Sequence, residues 1–181
     1  MNPTVAEVRL RDGTRVFLRP IRPEDAARVP DFEASVSAES RRLRFHSTVA
    51  ALTPRMVAAA THVDYTRDMA LVATVHENGA ERPLGVVRYS RLPDGTTAEF
   101  AIVVSDASQG RGLGEAMMRR LLEAARDAGI TQMVGWVLAH NAGMLALCRR
   151  LGFTVRRVPG DPQMREVVKV VAPAPGDTIS G

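Results

Sequence analysis

The sequence predicts an α+β protein with a mixed, mostly antiparallel central sheet flanked by helices. Three strand patterns lie close together between residues 69 and 104, separated by Asn-Gly and Pro-Asp-Gly turns, and this predicts an antiparallel meander. A strand–helix–strand pattern over 97–138 predicts one crossover between two parallel strands. At 181 residues and 45% hydrophobic content the chain is long enough to bury a core as one domain.

The N-terminal third predicts a hairpin and three helices. Residues 5–20 alternate between apolar and polar side chains around Asp12-Gly13, a dipeptide typical of tight hairpin turns. The first helix starts at Pro23-Glu24-Asp25, where proline and acidic side chains suit a first turn, and the third starts at the capping pair Thr53-Pro54. The predicted helices cover residues 23–37, 39–46 and 54–61.

The rest of the chain alternates between strand and helix patterns. Two helices end where glycine follows, one at Gly129 and one, over 141–151, at Gly152. The predicted strands are 69–76, 84–90, 97–104, 133–138, 153–158 and 166–171. We expect a single domain over 1–172. The last residues, 173–181, have no apolar face to bury and are predicted to be a disordered tail.

Composition excludes several classes of protein. The formal net charge is +4, and of the 24 basic residues only Lys169 is lysine. The arginines are scattered rather than gathered in a stripe, so no nucleic-acid partner is predicted. The modest positive electrostatic field of the chain suits an anionic cofactor or an acidic protein surface.

No apolar run reaches the roughly 20 residues of a membrane span, and the N-terminus lacks a signal-peptide core. The single Cys148 fits a reducing cytoplasm. The histidines show no metal-ligand spacing, so no metal is predicted.

The segment Gln109-Gly110-Arg111-Gly112-Leu113-Gly114 lies between an apolar strand and an amphipathic helix. Alternating glycines leave backbone N–H groups unobstructed, and the helix adds unpaired donors and a positive dipole end, so this pattern predicts an anion site with phosphate as the favoured anion. The spacing does not match the dinucleotide fingerprint or the P-loop. The alternative is a tight strand–helix turn that binds nothing.

Two motifs in this order resemble the GNAT superfamily of N-acetyltransferases. The first is Gln109-x-x-Gly112-x-Gly114, and the second runs from Asn141 to the Leu-Gly-Phe that ends at Phe153. Within the superfamily the chain resembles bacterial protein lysine acetyltransferases of the Pat type. The matching phrases lie at residues 18–25, 40–45, 64–70, 85–90 and 98–103.

This resemblance implies acetyl-coenzyme A (acetyl-CoA) as co-substrate and a sheet splayed between the strands at 97–104 and 133–138. Backbone groups of one strand would hold the pantetheine arm, the glycine segment would hold the diphosphate, and an asparagine would bond the arm from the other side. The implied cofactor-binding residues are Ile102, Val103, Val104, Gln109, Gly110, Arg111, Gly112, Leu113, Gly114, Glu115 and Asn141. The side chains of Arg111, Arg149 and Arg150 are candidates for phosphate charge, or else solvated surface groups.

Glu99 is an acidic residue among apolar strand neighbours, where the family has its catalytic glutamate. An ammonium cannot attack a thioester, and a lysine with its usual pKa of about 10.4 is neutral in roughly one molecule in a thousand at pH 7. A carboxylate that accepts the proton removes this obstacle. The alternatives for Glu99 are a solvent-facing strand residue or a partner of Arg88. Many superfamily members have a tyrosine proton donor where this chain has Cys148, which is either a donor or a packing residue.

The sequence therefore predicts an acetyl-CoA-dependent N-acetyltransferase, with protein lysine ε-amino groups as the favoured acceptor. Its partner would be a protein with an exposed lysine, for which an acyl-CoA synthetase-like enzyme is a candidate. The alternatives are an enzyme for small-molecule amines and a non-catalytic module that binds acyl-CoA.

Overall fold

The computed structural model describes residues 5–45 and 52–171, which form one eight-stranded sheet with helices on both faces. The strands are β1 (Ala6–Arg9), β2 (Arg15–Pro20), β3 (Asp68–Glu77), β4 (Ala80–Arg91), β5 (Thr97–Val104), β6 (Gln132–Leu138), β7 (Thr154–Val158) and β8 (Asp161–Val170). The α-helices are α1 (Val29–Ala34), α2 (Ala38–Phe45), α3 (Pro54–Thr61), α4 (Leu113–Asp127) and α5 (Ala142–Arg150).

The strand order is β1-β2-β3-β4-β5-β6-β8-β7. Only β5 and β6 pair in parallel, and α4 connects them; every other neighbouring pair is antiparallel. The predicted hairpin, meander and crossover are all confirmed, as is the α+β class with a mixed sheet.

The first predicted helix differs from the observed one. Pro23–Arg28 is a 3₁₀ helix that leads into the short helix α1. Pro30 explains the break, because proline lacks the N–H that a continuous α-helix would use there, and it fits at the first turn of α1 instead. The capping role of Thr53 is confirmed, since its hydroxyl accepts a hydrogen bond from Met56 N–H at 3.2 Å. His46, the last residue of the second predicted helix, lies outside the described residues.

Helix α4 covers one face of the sheet with its apolar side. Helical spacing predicts Met117, Leu121, Leu122 and Ala125 in the core; Leu122 is partly buried and the other three are fully buried. The helix comes close to β4 at Gly85, where a Cβ would lie 3.0 Å from Met117 Sδ. This close approach fixes the start of α4 beside the end of β5, where the glycine segment lies.

The second strand of the C-terminal hairpin begins earlier than the predicted residue 166, because β8 starts at Asp161 and only Pro159-Gly160 remains for the turn. Strand β8 lies between β6 and β7 and pairs with both. The predicted tail, 173–181, lies outside the described residues, and the single domain over 1–172 stays a prediction. Within 5–45 and 52–171 no helix is both long enough and apolar enough to span a bilayer.

A buried ionic network attaches the 3₁₀ helix to the sheet. The Arg19 guanidinium donates to both carboxylate oxygens of Asp25, at 2.8 and 2.7 Å, and to Glu81 at 2.7 Å. Arg22 N–H donates to Asp25 at 2.8 Å. Burial alone would raise the pKa of Asp25, but the bonds from Arg19 and Arg22 outweigh it and hold that pKa below its ordinary value. The segment 18–25, one of those that resemble the Pat-type enzymes, therefore has a structural role in this network.

Candidate active site

Strands β5 and β6 separate after three residue pairs. The pairing runs from Thr97–Gln132 to Glu99–Val134 and then stops. Beyond Glu99, the edge of β5 that faces β6 has no strand partner in the described chain, so peptide groups of β5 face an open cleft. The splay that the resemblance implies is present.

The cleft between the two strands has a volume of about 690 Å³. Most of the residues predicted from the sequence lie along it. Those that line it are Glu99, Ile102, Val103, Val104, Gln109, Gly110, Gly112, Gly114, Glu115 and Asn141. Arg111 and Leu113 do not line it; Leu113 is buried in the core. The two motifs, distant in sequence, therefore meet along one cavity.

The glycine segment forms the end of the cleft at the N-terminus of α4. Gly110 and Gly112 have φ values of 71° and 91°, a left-handed conformation that favours glycine. The first helical hydrogen bond runs from Ala116 N–H to Gly112 O at 3.1 Å. The N–H groups of Leu113, Gly114 and Glu115 are therefore the unpaired donors of the first turn. Leu113 thus contributes backbone to this site although its side chain is in the core.

The Arg111 side chain points away from the cleft. Its guanidinium forms an ion pair with Asp12 and donates to Thr14 Oγ1 at 2.6 Å, both in the turn between β1 and β2. Of the two roles predicted for this side chain, its pairing with Asp12 speaks against a phosphate contact and for a surface group. Arg149 also does not line the cleft, whereas Arg150 does. The sequence analysis missed Arg11, which lines the cleft from the same turn.

The Glu115 carboxylate is held by neighbouring arginines. It accepts a hydrogen bond from Arg119 at 2.8 Å, and its Oε2 lies 3.6 Å from Arg150 Nε. The Arg119 bond first, and then the charges of Arg119, Arg150 and Arg11, lower the pKa of Glu115. The backbone N–H, rather than the side chain, is therefore the group that Glu115 can offer to an anion.

Asn141 is the N-cap of α5, where its Oδ1 accepts a hydrogen bond from Met144 N–H at 3.1 Å. Within the described residues its amide nitrogen has no acceptor, so an N–H donor remains on the cleft wall. Gln109 instead uses its amide nitrogen inside the protein, donating to Ser40 Oγ and to Val104 O at 3.2 Å each.

Helix α2 is attached to the end of β5 by a small polar network. Ser40 Oγ donates to Asp106 at 2.8 Å, and Ser37 N–H donates to the same carboxylate at 3.2 Å. These bonds bring Ser40 and Leu43 onto the cleft lining. The sequence analysis placed α2 but did not assign these residues to the site, because a contact over 66 residues has no local signal.

The Glu99 side chain is exposed and lines the cleft at the point where the strands separate. Its carboxylate makes no ion pair or hydrogen bond within the described residues, so the predicted alternative of pairing with Arg88 is not found there. Trp136 lies on the same face of the sheet, since Glu99 pairs with Val134 and Trp136 follows two residues later. It is 39% exposed and also lines the cleft. The sequence analysis did not assign Trp136 to the site; the signal that could have done so is that the one tryptophan of the chain lies on a predicted strand.

Cys148 is fully buried in the core and is not among the described residues that line the cleft. Burial raises the pKa of this thiol to about 12. Neither of the chain's two tyrosines, Tyr65 and Tyr89, is among the cleft residues described. Tyr65 donates to Ile21 O at 2.6 Å and so has a structural partner. Cys148 is therefore a packing residue, and the described cleft contains no tyrosine.

Across the described residues no group of three histidine, cysteine, aspartate or glutamate side chains could hold a metal ion. The site combines a free carboxylate, an open strand edge and an array of N–H donors with nearby arginines. Such a site can bind an extended ligand with phosphates at one end and accept a proton at the other.

Residues 37–153 match the model of the acetyltransferase (GNAT) family. An acetyltransferase of Pseudomonas aeruginosa is 37% identical over 152 residues, covering 84% of this chain and 82% of that protein. Acetyltransferase Pat of Mycolicibacterium smegmatis is 32% identical over 82% of this chain, which spans only 44% of that longer protein. The crystal structure of the GNAT domain of S. lividans PAT superposes with a TM-score of 0.85 at 31% identity, covering 92% of this chain and 96% of that one. The chain belongs to the GNAT family of acetyltransferases, which use acetyl-CoA.

Proposed function

We propose that this acetyltransferase transfers the acetyl group to lysine ε-amino groups of proteins, with Glu99 as general base. The observation that carries the proposal is the position of the Glu99 carboxylate. It is exposed, has no partner within the described residues, and stands where β5 and β6 separate. An incoming amine can reach it without displacing another side chain.

Acetyl-CoA would lie along the cleft. Backbone groups of Ile102, Val103 and Val104 would bond the pantetheine arm, and the Asn141 amide nitrogen would donate from the opposite wall. The N–H groups from Gly110 to Glu115 would bind the diphosphate at the start of α4. This pose would place the thioester beside the open strand edge, near Glu99.

The transfer would proceed by direct attack. Glu99 accepts a proton from the lysine ammonium, directly or through a water molecule, and the freed lone pair forms a C–N bond to the acetyl carbonyl carbon. Backbone N–H groups in the Ile102–Val104 region stabilise the oxyanion. The C–S bond then breaks, the nitrogen of the new amide loses its remaining extra proton to water, and the thiolate leaves and takes a proton. Since Cys148 is buried with a pKa raised to about 12, water is the proposed source of that proton.

The surface beside Glu99 supports a lysine acceptor. The Trp136 indole is partly exposed on that face, and Glu166 pairs with Trp136 from β8. The Glu166 carboxylate is itself 3.9 Å from Arg156, so among the described residues of this surface it is Glu99 that can meet a cation, and the indole beside it suits the aliphatic arm of a lysine. The similarity to two proteins named Pat gives further support.

The substrate would be a protein with an exposed lysine, and an acyl-CoA synthetase-like enzyme is our first candidate. We also propose that residues 1–172 act as one domain, and that the enzyme works in the cytoplasm, where the unpaired Cys148 would stay reduced.

The experiment is a labelled acetyl-transfer assay on a cell lysate, read both on a gel and by small-molecule chromatography. We expect label on protein lysines with wild type. Glu99→Gln keeps the size of the side chain but removes the base, and we expect its rate to fall about 100-fold or more while CoA affinity is retained.

Glu166→Gln is the matched control, because it removes a carboxylate of the same face that is not proposed as the base. Equal rates in wild type and Glu99→Gln would remove Glu99 as the base. Label on a small amine alone would establish the small-molecule alternative, and CoA binding without any transfer would establish the non-catalytic module.

A further inference from the structure

We infer that Arg11, in the turn between β1 and β2, binds the diphosphate of CoA, and that Arg111 positions it. This inference rests on acetyl-CoA as the cofactor and not on the acceptor, so its test is a binding measurement that a wrong acceptor would leave unchanged. The sequence suggests Arg111 for the phosphate, since Arg111 belongs to the glycine segment. The inference gives that role to Arg11, which lies 100 positions earlier in the chain.

Three contacts, made in both directions, join the hairpin turn to the glycine segment. Arg11 N–H donates to Arg111 O at 3.2 Å. In the other direction the Arg111 guanidinium pairs with the Asp12 carboxylate and donates to Thr14 Oγ1. Each segment thus bonds to the other through both backbone and side chain. The turn cannot shift along the glycine segment without breaking these contacts together.

This attachment places the Arg11 side chain against Gly112. A Cβ on Gly112 would lie 3.6 Å from Arg11 Nε and 3.7 Å from Arg11 Cγ. Gly112 is the N-cap of α4, so the guanidinium is beside the unpaired N–H groups of the first turn. Arg11 also lines the cleft, whereas Arg111 does not.

At this end of the cleft the other arginines near the glycine segment are already paired with carboxylates, and Arg11 can bond to an anionic ligand. Arg111 is neutralised by Asp12, and Glu115 is bonded to Arg119 with Arg150 close by. Among the described residues the guanidinium of Arg11 forms no ion pair within 4.0 Å, although its charge contributes to the lowered pKa of Glu115, and its side chain is exposed. A guanidinium of this kind beside helix N–H groups completes an anion site with donors that can bond two phosphate oxygens at once.

The position at the N-cap assigns Arg11 to the diphosphate rather than to the 3′-phosphate of CoA. Calorimetric titration with CoA, dephospho-CoA and pantetheine separates the groups. We expect Arg11→Ala to weaken CoA and dephospho-CoA by the same factor, about tenfold, and to leave pantetheine unchanged. Arg11→Gln keeps the aliphatic stem and should lose nearly as much. Raising the salt concentration should reduce the difference from wild type.

Arg9→Ala is the matched control: Arg9 is exposed on the same hairpin but does not line the cleft, so CoA affinity should stay within about twofold. Arg111→Ala should weaken CoA only while Arg11 is present, so the double variant should bind little worse than Arg11→Ala. Equal CoA affinity in Arg11→Ala and Arg9→Ala would overturn the inference. So would a loss confined to CoA, or one that extends equally to pantetheine.

Discussion

The ring of Phe100 lies on the backbone of Gly135, so close that a Cβ on Gly135 would stand 2.4 Å from Phe100 Cε1. The two residues follow directly after the last pair of β5 and β6, Glu99 and Val134. Phe100 is buried and also packs on Phe153, with ring centroids 5.4 Å apart. The aromatic ring thus occupies the position where a β6 side chain would stand, and the strands separate beside it.

Gly135→Ala should destabilise the fold by about 1–3 kcal/mol, because the added methyl group must displace a ring that is held on its other side by Phe153. Denaturant unfolding measures this. Gly143→Ala is the control, since a Cβ at Gly143 meets no atom within 4 Å. Adding Phe100→Leu should recover part of the loss in Gly135→Ala; no recovery would show that the ring is not the obstacle.

Trp136→Ala should raise KM for an acceptor lysine peptide about tenfold and change CoA affinity little, because the indole stands on the Glu99 face. Trp136→Phe should retain most of the affinity. Met56→Ala removes a side chain that is equally exposed, at 39%, but does not line the cleft, and it should behave as wild type. Steady-state kinetics in which the peptide and acetyl-CoA are varied separately measures the KM of each. A raised KM for acetyl-CoA with an unchanged KM for the peptide would show that Trp136 contacts the cofactor instead.

Cys148→Ala should leave kcat within about twofold and lower the free energy of unfolding by about 1–2 kcal/mol, because the thiol fills core space and takes no part in proton transfer. With its pKa raised to about 12 by burial, Cys148 stays protonated at neutral pH and should react slowly with thiol reagents in the native protein. A fall in kcat together with an altered pH profile would instead identify the thiol as the proton donor.

Asp25→Asn should cost about 3 kcal/mol of stability at pH 7, because Arg19 loses a buried partner. The folded-state pKa of Asp25 is lowered, so its ionised form stabilises the fold above the unfolded pKa of about 3.9. That contribution disappears as pH falls through the folded-state pKa, and the gap between variant and wild type should close there. Asp31→Asn, at an exposed position, should show no such gap at any pH. Urea unfolding from pH 2 to 8 measures both.

Local signals predicted the fold well. Asp12-Gly13 and the turns between the meander strands set the antiparallel pairs, and the two glycines that follow α4 and α5 mark where those helices end. These turns and helix ends depend on residues close together in sequence, and this is why a single sequence contains them. The cleft was instead implied by the resemblance of two separate motifs to the GNAT superfamily.

Side-chain directions were not predictable in the same way. Arg11 and Arg111 are both arginines within two residues of a glycine, and only the contact of Arg111 with Asp12, 99 residues away, decides which one faces the cleft. The exposure of Glu99 likewise depends on what covers its face of the sheet, which apolar neighbours along the strand do not reveal. The helix predicted over 23–37 does not include the 3₁₀ segment before α1, because the start signals at Pro23-Glu24-Asp25 do not show that Pro30 interrupts the α-helical hydrogen bonds.

Lys169 of β8 pairs with Met133 of β6, and the next residue of β6, Val134, pairs with Glu99. Because neighbouring residues of a strand point to opposite faces, the Lys169 side chain lies on the face opposite Glu99. Its Nζ is 3.0 Å from the position of a Cβ on Gly152. It is the one lysine of the chain. A transferase directed at lysine would therefore have almost no target on its own surface, and the one it has is turned away from its own base. In a labelling experiment the band of the enzyme itself would carry no label. Any label found on Lys169 would have been transferred by a second enzyme molecule.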